Sequence, residues 1–313
     1  MMNPTQSRVI DPILSAHARG YVQPGLIGEA IFPRVPVAMY GGNVIEFGKE
    51  AFRLYNVKRA PGSATRRLEF GYEGKPFAIV PGALEAKVPR EWMRDAAQVP
   101  GIDLASRAVN TVLRAMALSH EYECAQIALN VGNYDADHKV TLTGTDRWTS
   151  AASSPSDDID AGKEAIRSSI GMRPNTVMLS SRAFSVAKRH PKLLEQFKYT
   201  KGGQLTIDQL KELWEVQKIV VGEAVVATGT NDSFGDVWGN DVWLGYVNQS
   251  SSANNEEPSY GYTYTIDGNP AVEQPYWEDN AKSWIYGVSD DNSPVLSGMT
   301  AGYLIKDAAA AAA

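Results

Sequence analysis

Apolar residues recur at spacings of three and four through residues 101–131. Ile102, Ala105, Val109, Val112, Met116, His120, Cys124, Ile127 and Val131 form one stripe, with Asp103 and Arg107 on the other face. This predicts a helix opened by Pro100-Gly101 and stopped by Gly132, about 45 Å long at the usual rise per residue. A helix of that length with one apolar stripe needs a sheet or another helix along its whole extent. His120 and Cys124 share the stripe, so they belong to a core or an interface.

Upstream, across residues 41–90, the period falls to two. Leu68, Phe70 and Tyr72 alternate with Glu69 and Gly71, and Phe52 alternates with Leu54, on the two sides of Pro61-Gly62. The pattern predicts a long two-stranded hairpin. Residues 1–40 show no sustained period, because prolines at 4, 12, 24, 33 and 36 interrupt every run. Such a segment builds no core of its own, and is either disordered or laid on something else.

Downstream, "DRWTSAASSPSDD" (146–158) reads as a loop. It leads to a helix capped by Ser156, with Asp157, Asp158 and Asp160 in its first turn and Ile159, Ile166 and Ile170 facing inward. In "RPNTVMLSSRAFSVAKRHP" (173–191), "TVML" is a buried strand, and Ser180 or Ser181 caps a helix running to about Arg189. Thr206 and Gln209 make a capping box for a helix carrying Ile207, Leu210, Leu213 and Trp214. "KIVVGEAVVAT" and "DVWLGYVN" read as strands, so roughly 133–248 is a mixed α/β unit. Beyond the surface loop "QSSSANNEEPS", the segments "YGYTYTI", "WIYGVSD" and "AGYLIKD" are β-rich, and the alanines 308–313 are expected to fray.

Composition narrows the function classes. A net charge of −6 disfavours a dedicated nucleic-acid binder. No run approaches the ~20 apolar residues of a membrane span. The single cysteine, Cys124, excludes an intrachain disulfide and a Cys-based zinc site. Charge is also uneven: residues 41–90 carry nine basic side chains against five acidic ones, although the chain as a whole is acidic. A basic hairpin on an acidic body points to contact with another copy of the body, and an isolated ribbon wants such a seat. Arg53, Lys58, Arg59, Arg66 and Arg67 are the expected contact residues.

Candidate chemistry is sparse. Ser181 with His190 could suggest an α/β hydrolase, but the serines lack the glycines of a nucleophile elbow. They stand where a helix cap belongs, and His190 stands at a helix end before proline. Asp135, Asp137 and His138 in "YDADH" could bind a metal, but no second ligand cluster accompanies them, and the stretch reads as a turn. Trp238, Trp243, Trp277 and Trp284 lie in strand-like runs and read as packing or interface residues. No catalytic residue, cofactor or metal is assigned.

The order of parts is an arm, a basic hairpin, a long helix, an α/β unit containing "PNTVMLSSRAFSVAKRHPKLLEQFKYT" (174–200), and a β-rich return. It resembles the major capsid proteins of tailed phages with the Hong Kong 97 capsid fold, an α+β architecture. The resemblance implies an N-terminal arm (1–40), an extended loop lying over a neighbour (41–90), and a peripheral domain with its spine helix (91–136). An axial domain (137–258) and a return to the peripheral domain with a C-terminal tail (259–313) follow. It implies an icosahedral shell of pentamers and hexamers enclosing double-stranded DNA, assembled in the bacterial host cytoplasm without membrane contact. The partners implied are copies of the chain, a separate scaffolding protein, a portal, a decoration protein and packaged DNA in weak, non-specific contact. An encapsulin-like compartment shell is the alternative on the same fold.

Overall fold

The computed structural model describes residues 11, 14–15, 18, 25–45, 58, 74–96, 103–197, 205–228, 233–249 and 259–311. A one-turn helix, Gly28–Ile31, precedes β1 (Arg34–Val37), β2 (Gly41–Ile45), β3 (Gly74–Ala78) and β4 (Ala83–Pro89). A short helix, Arg90–Ala96, comes before the long helix Leu104–Ala128 and β5 (Lys139–Thr141). Helix Pro155–Ile170 leads to β6 (Thr176–Ser180), followed by helices Ser181–Ala187, Pro191–Gln196 and Ile207–Trp214. Then come β7 (Lys218–Gly222), β8 (Val225–Thr228), β9 (Ser233–Asp236) and β10 (Val242–Gly245). The last strands are β11 (Gly261–Ile266), β12 (Ala271–Val272), β13 (Tyr276–Glu278), β14 (Ser283–Ser289), β15 (Asn292–Leu296) and β16 (Gly302–Lys306).

Three sheets organise these elements. A five-stranded mixed sheet has the order β5-β16-β10-β6-β7. Its strands "TVMLS" and "VWLG" are buried at every position, as near-continuous apolar runs require. In a second sheet β14 pairs β4 on one side, and β12 and β13 on the other. A third has the order β1-β11-β15, with β1 parallel to β11. Strand β16 leaves the β-rich C-terminal stretch and inserts between β5 and β10, so residues 259–313 do not return as a block to one sheet.

The long helix joins two cores. Ala108, Val109, Val112 and Leu113 pack with Val88, Val272, Tyr286 and Val288 of the β4–β14 sheet. One end further on, Cys124, Ala125 and Ala128 enter the large core around the five-stranded sheet. The expected stripe thus held at Val109, Val112, His120 and Cys124. The helix is shorter than expected: Asp103 caps it by accepting from the Ala105 amide, and it ends before Leu129. Gly132 is not its stop, because the Asn130 side chain accepts from the Gly132 amide and starts a separate 3-10 turn.

Two further expectations need correction. The helix after the polar loop starts at Pro155, with Ser154 rather than Ser156 at the N-cap position and no side-chain cap bond, because Pro155 takes the first helical position, where its fixed φ is pre-organised. Ala308 and Ala309 are packed rather than frayed: following β16 out of the sheet, Ala308 C=O accepts from the Trp148 amide and the Ala309 amide donates to Asn240 C=O. The described part of the N-terminal segment, expected to be disordered or laid on something else, lies on the chain's own body. Asp11 N bonds Val272 O, Ala18 is buried, and Ile31 and Phe32 are fully buried. By contrast, Ser180 caps Ser181–Ala187, and the Thr206–Gln209 capping box is present.

In the second half of the long helix, two buried polar residues tie these parts together. The Glu121 carboxylate accepts from the Ile27 amide at 3.0 Å, from the Gly28 amide, and from Trp238 Nε1 at 2.7 Å. Gly28 has to be glycine there, because a Cβ would lie 2.8 Å from Glu121 Oε2. Burial pushes the Glu121 carboxyl above its ordinary range, and the hydrogen bonds from Ile27, Trp238 and Gly28 offset part of that rise. His120 Nε2 lies 3.0 Å from Thr263 Oγ1, which itself donates to Phe32 C=O. Thr263 therefore accepts from the histidine, which is neutral with its proton on Nε2. Burial, reinforced by the charge of Arg34 and opposed by Glu29, brings the His120 pKa from 6.5 down to about 4.

Replacing Glu121 with Ala leaves buried donors unpaired and is expected to lower stability by about 3 kcal/mol, read as the urea midpoint. The stability from the raised Glu121 pKa is complete below the ordinary carboxylate value and declines as pH rises through the folded value; Glu121→Gln removes that decline. His120 has the opposite sign. Its contribution is complete above pH 6.5 and is lost as pH falls towards 4, so His120→Gln should give a shallower acid limb in the same titration.

Candidate assembly surface

Strands β2 and β3 pair antiparallel, with Gly41 opposite Ala78 and Ile45 opposite Gly74. The chain thus leaves the body and re-enters it at adjacent positions. The two strands form a sheet of their own, separate from the three sheets of the body. A two-stranded ribbon is marginal alone, so its root must be held by packing. Phe77 stacks on Tyr264 with ring centroids 4.2 Å apart. Ile79 joins Val35, Tyr262 and Tyr264 in a small core on the β1-β11-β15 sheet. Around this root, Met39, Tyr40 and Val80 are exposed at 70%, 49% and 66%. Three large apolar side chains in water at one place mark a contact surface more than a finished exterior.

Lys58 is exposed, whereas Arg53, Arg59, Arg66 and Arg67 lie outside the described residues, as does the loop "QSSSANNEEPS" apart from its ends, Gln249 and Ser259. The candidate hydrolase pair is not assembled. Ser181 opens its helix, and Ser180 Oγ accepts from the Ala183 amide. His190 is buried with Nε2 3.1 Å from both Ser153 Oγ and Ser150 C=O. Trp238 and Trp243 are fully buried, and Trp277 packs edge-on against Trp284.

The turn "YDADH" makes a different arrangement from the one its sequence suggested. Asp135 Oδ1 accepts from the Asp137 and His138 amides and from His138 Nδ1 at 2.7 Å. On the other side of the ring, His138 Nε2 is 3.0 Å from Ser169 Oγ. Burial raises the Asp135 pKa, but the bonds from His138 and Asp137 outweigh it and leave the carboxyl below its ordinary value. The order Asp–His–Ser has the connectivity of an activated serine. Ser169, however, sits in the last turn of its helix, where carbonyls point outward and the dipole is negative. An oxyanion needs N–H donors at that place. The arrangement fastens the turn after the long helix to helix Pro155–Ile170. Ser169 carried no sequence signal, since the pairing is purely tertiary. Among the described residues, no group of three or more His, Cys, Asp or Glu could hold a metal, and no helix is long and apolar enough to cross a membrane.

A family model described as phage major capsid protein E matches residues 133–247, the stretch that builds β5 to β10. The major capsid protein of Burkholderia phage BcepMu is 38% identical over 301 residues, covering 95% of this chain and 96% of that protein. The crystal structure of a phage-related protein from Bordetella bronchiseptica RB50 is 66% identical, with a TM-score of 0.85 over 98% of this chain and 99% of that one. The mature capsid of bacteriophage PhiM1, at 12% identity, aligns over 92% of this chain and 88% of that chain with a TM-score of 0.53, a likeness of fold. The fold is the Hong Kong 97-like capsid fold. The chain belongs to the phage major capsid proteins, the subunits that form the phage shell.

Proposed function

We propose that the shell is icosahedral, built from pentamers and hexamers of this chain around double-stranded DNA, with the part of the 41–90 hairpin beyond β2 and β3 lying on a neighbouring copy; β4, at its end, belongs to the body. The observation that carries this reading is the ribbon root, where β2 and β3 pair and Ile45 stands opposite Gly74. A two-stranded ribbon is marginal alone and gains much from a second body. Such contacts join different surfaces of identical chains, and contacts of that kind close into rings. The excess of basic over acidic residues in 41–90, on a chain of net charge −6, favours a neighbour's body as the seat. Arg53, Lys58, Arg59, Arg66 and Arg67 are the contact residues in this reading.

The β4–β14 sheet with the first half of the long helix serves as the peripheral domain (91–136 and part of 259–313, joined by β4 at 83–89). The five-stranded sheet with its helices serves as the axial domain (137–258, completed by β16), and 1–40 is the arm. A scaffolding protein, a portal and a decoration protein are its heterologous partners, and assembly takes place in the host cytoplasm. DNA is confined with weak contact, as the acidic net charge favours.

Reversing Arg59, Arg66 and Arg67 to Glu tests the reading. The variant should keep the wild-type circular dichroism and melting temperature while forming no capsomers or shells by light scattering and negative-stain microscopy. Shells of normal yield from the triple variant would overturn the intersubunit role of the ribbon.

A further inference from the structure

We propose that Asp291 is a positioning residue for assembly: one buried carboxylate pins both legs of the ribbon and so sets the direction in which the ribbon leaves the body. The inference rests on the ribbon's being an intersubunit element. Asp291 is 1% exposed. Its Oδ2 accepts from the Tyr40 hydroxyl at 2.7 Å, and its Oδ1 accepts from the Gly82 amide at 3.2 Å. Tyr40 immediately precedes β2, and Gly82 lies between β3 and β4, so the two bonds grip the outgoing and the returning leg.

The socket is fixed from behind. The Asp291 carbonyl accepts from the Ile266 amide at 3.1 Å and from Thr265 Oγ1 at 3.3 Å, which locks the turn between β14 and β15 to β11. Beside it, the Asp290 amide donates to Gly82 C=O at 2.9 Å, and Asn292 bridges to Val80. The Asp290 carboxylate is taken by the Arg34 guanidinium of β1 at 3.1 Å, and Arg34 Nε also reaches Glu29. The two adjacent acids therefore have separate tasks: Asp290 holds β1, and Asp291 holds the ribbon. Gly82 allows the close approach, because a Cβ there would lie 2.8 Å from Asp290 O.

Across the root the two legs are also joined to each other, by the Ile79 amide to Tyr40 C=O at 2.7 Å. Loss of the carboxylate would leave the legs paired and the three body sheets intact. The ribbon would then swing as a unit on the stacking of Phe77 and the small core beneath it. Docking onto a neighbour would be slowed by the fraction of time spent misdirected. This separates a positioning role from a role in stability.

The test uses the full chain with three substitutions: Asp291→Ala, Tyr40→Phe, which keeps the ring and removes only the hydroxyl bond, and Asp291→Asn, which keeps an oxygen for Gly82 and can donate to Tyr40. Hydrogen exchange at the Gly82 amide is measured in unassembled protein, melting temperature alongside it, and assembly rate by light scattering. Asp291→Ala should speed exchange at Gly82 about tenfold, as expected for a lost bond to a carboxylate. Asp291→Ala and Tyr40→Phe should both slow assembly, Tyr40→Phe without change in melting temperature, and Asp291→Asn should restore it. Wild-type assembly rates in Tyr40→Phe and Asp291→Ala would overturn the proposal, as would slow assembly that tracks only a lowered melting temperature. If the Glu triple variant of Arg59, Arg66 and Arg67 is blocked while Asp291→Ala assembles normally, the pin alone fails. If the triple variant assembles normally, the ribbon reading fails first.

Discussion

The Glu121 carboxylate is the point at which the subunit is held together. It sits in the second half of a helix whose two ends serve different cores, and it accepts hydrogen bonds from the N-terminal segment and from Trp238 beside the five-stranded sheet. A buried carboxylate is costly unless its oxygens are satisfied, and here the donors come from parts of the chain far apart in sequence. Those parts must be in place together for the group to be tolerated. The helix thus fixes the relation between the two halves of the subunit, and a shell built from many copies requires that relation to be the same in each.

The polar groups inside this protein act as fasteners. Asp135, His138 and Ser169 join a turn to a helix, His120 and Thr263 join the long helix to β11 and Phe32, and Asp290 and Asp291 join β1 and the ribbon legs to one turn. Each set brings together a titratable group and a partner that sequence spacing alone would not pair. The Asp–His–Ser chain shows how closely a fastener can copy a catalytic connectivity. What separates them is the environment of the serine: a helix C-terminus stabilises cations and repels an oxyanion.

The design leaves some elements unfinished. The ribbon root carries exposed apolar side chains, and the hairpin of β8 and β9 exposes Phe234 at 77%. In a chain that works alone these would be liabilities. In the assembly proposed here they are candidate surfaces for copies of the same chain.

Periodicity and capping were enough to reveal the long helix, the strands "TVML" and "VWLG", and the caps at Ser180 and Thr206, because these depend on neighbours within a few residues; the alternating residues of the hairpin between 52 and 72 lie outside the described residues. They were also enough to place His120 and Cys124 inside. The pattern skipped Glu121, since a charged residue beside an apolar stripe looks solvated until a distant amide and indole are brought to it. The order of strands was equally invisible: β16 belongs between β5 and β10 through hydrogen bonds to residues more than fifty positions away, and the alanines after it are buried only because that strand is central. Asp290 and Asp291 carried no signal in the sequence. Their separate partners, Arg34 for one and Tyr40 with Gly82 for the other, exist only once the sheets have formed, since backbone direction and not side-chain type determines which carboxylate faces which leg.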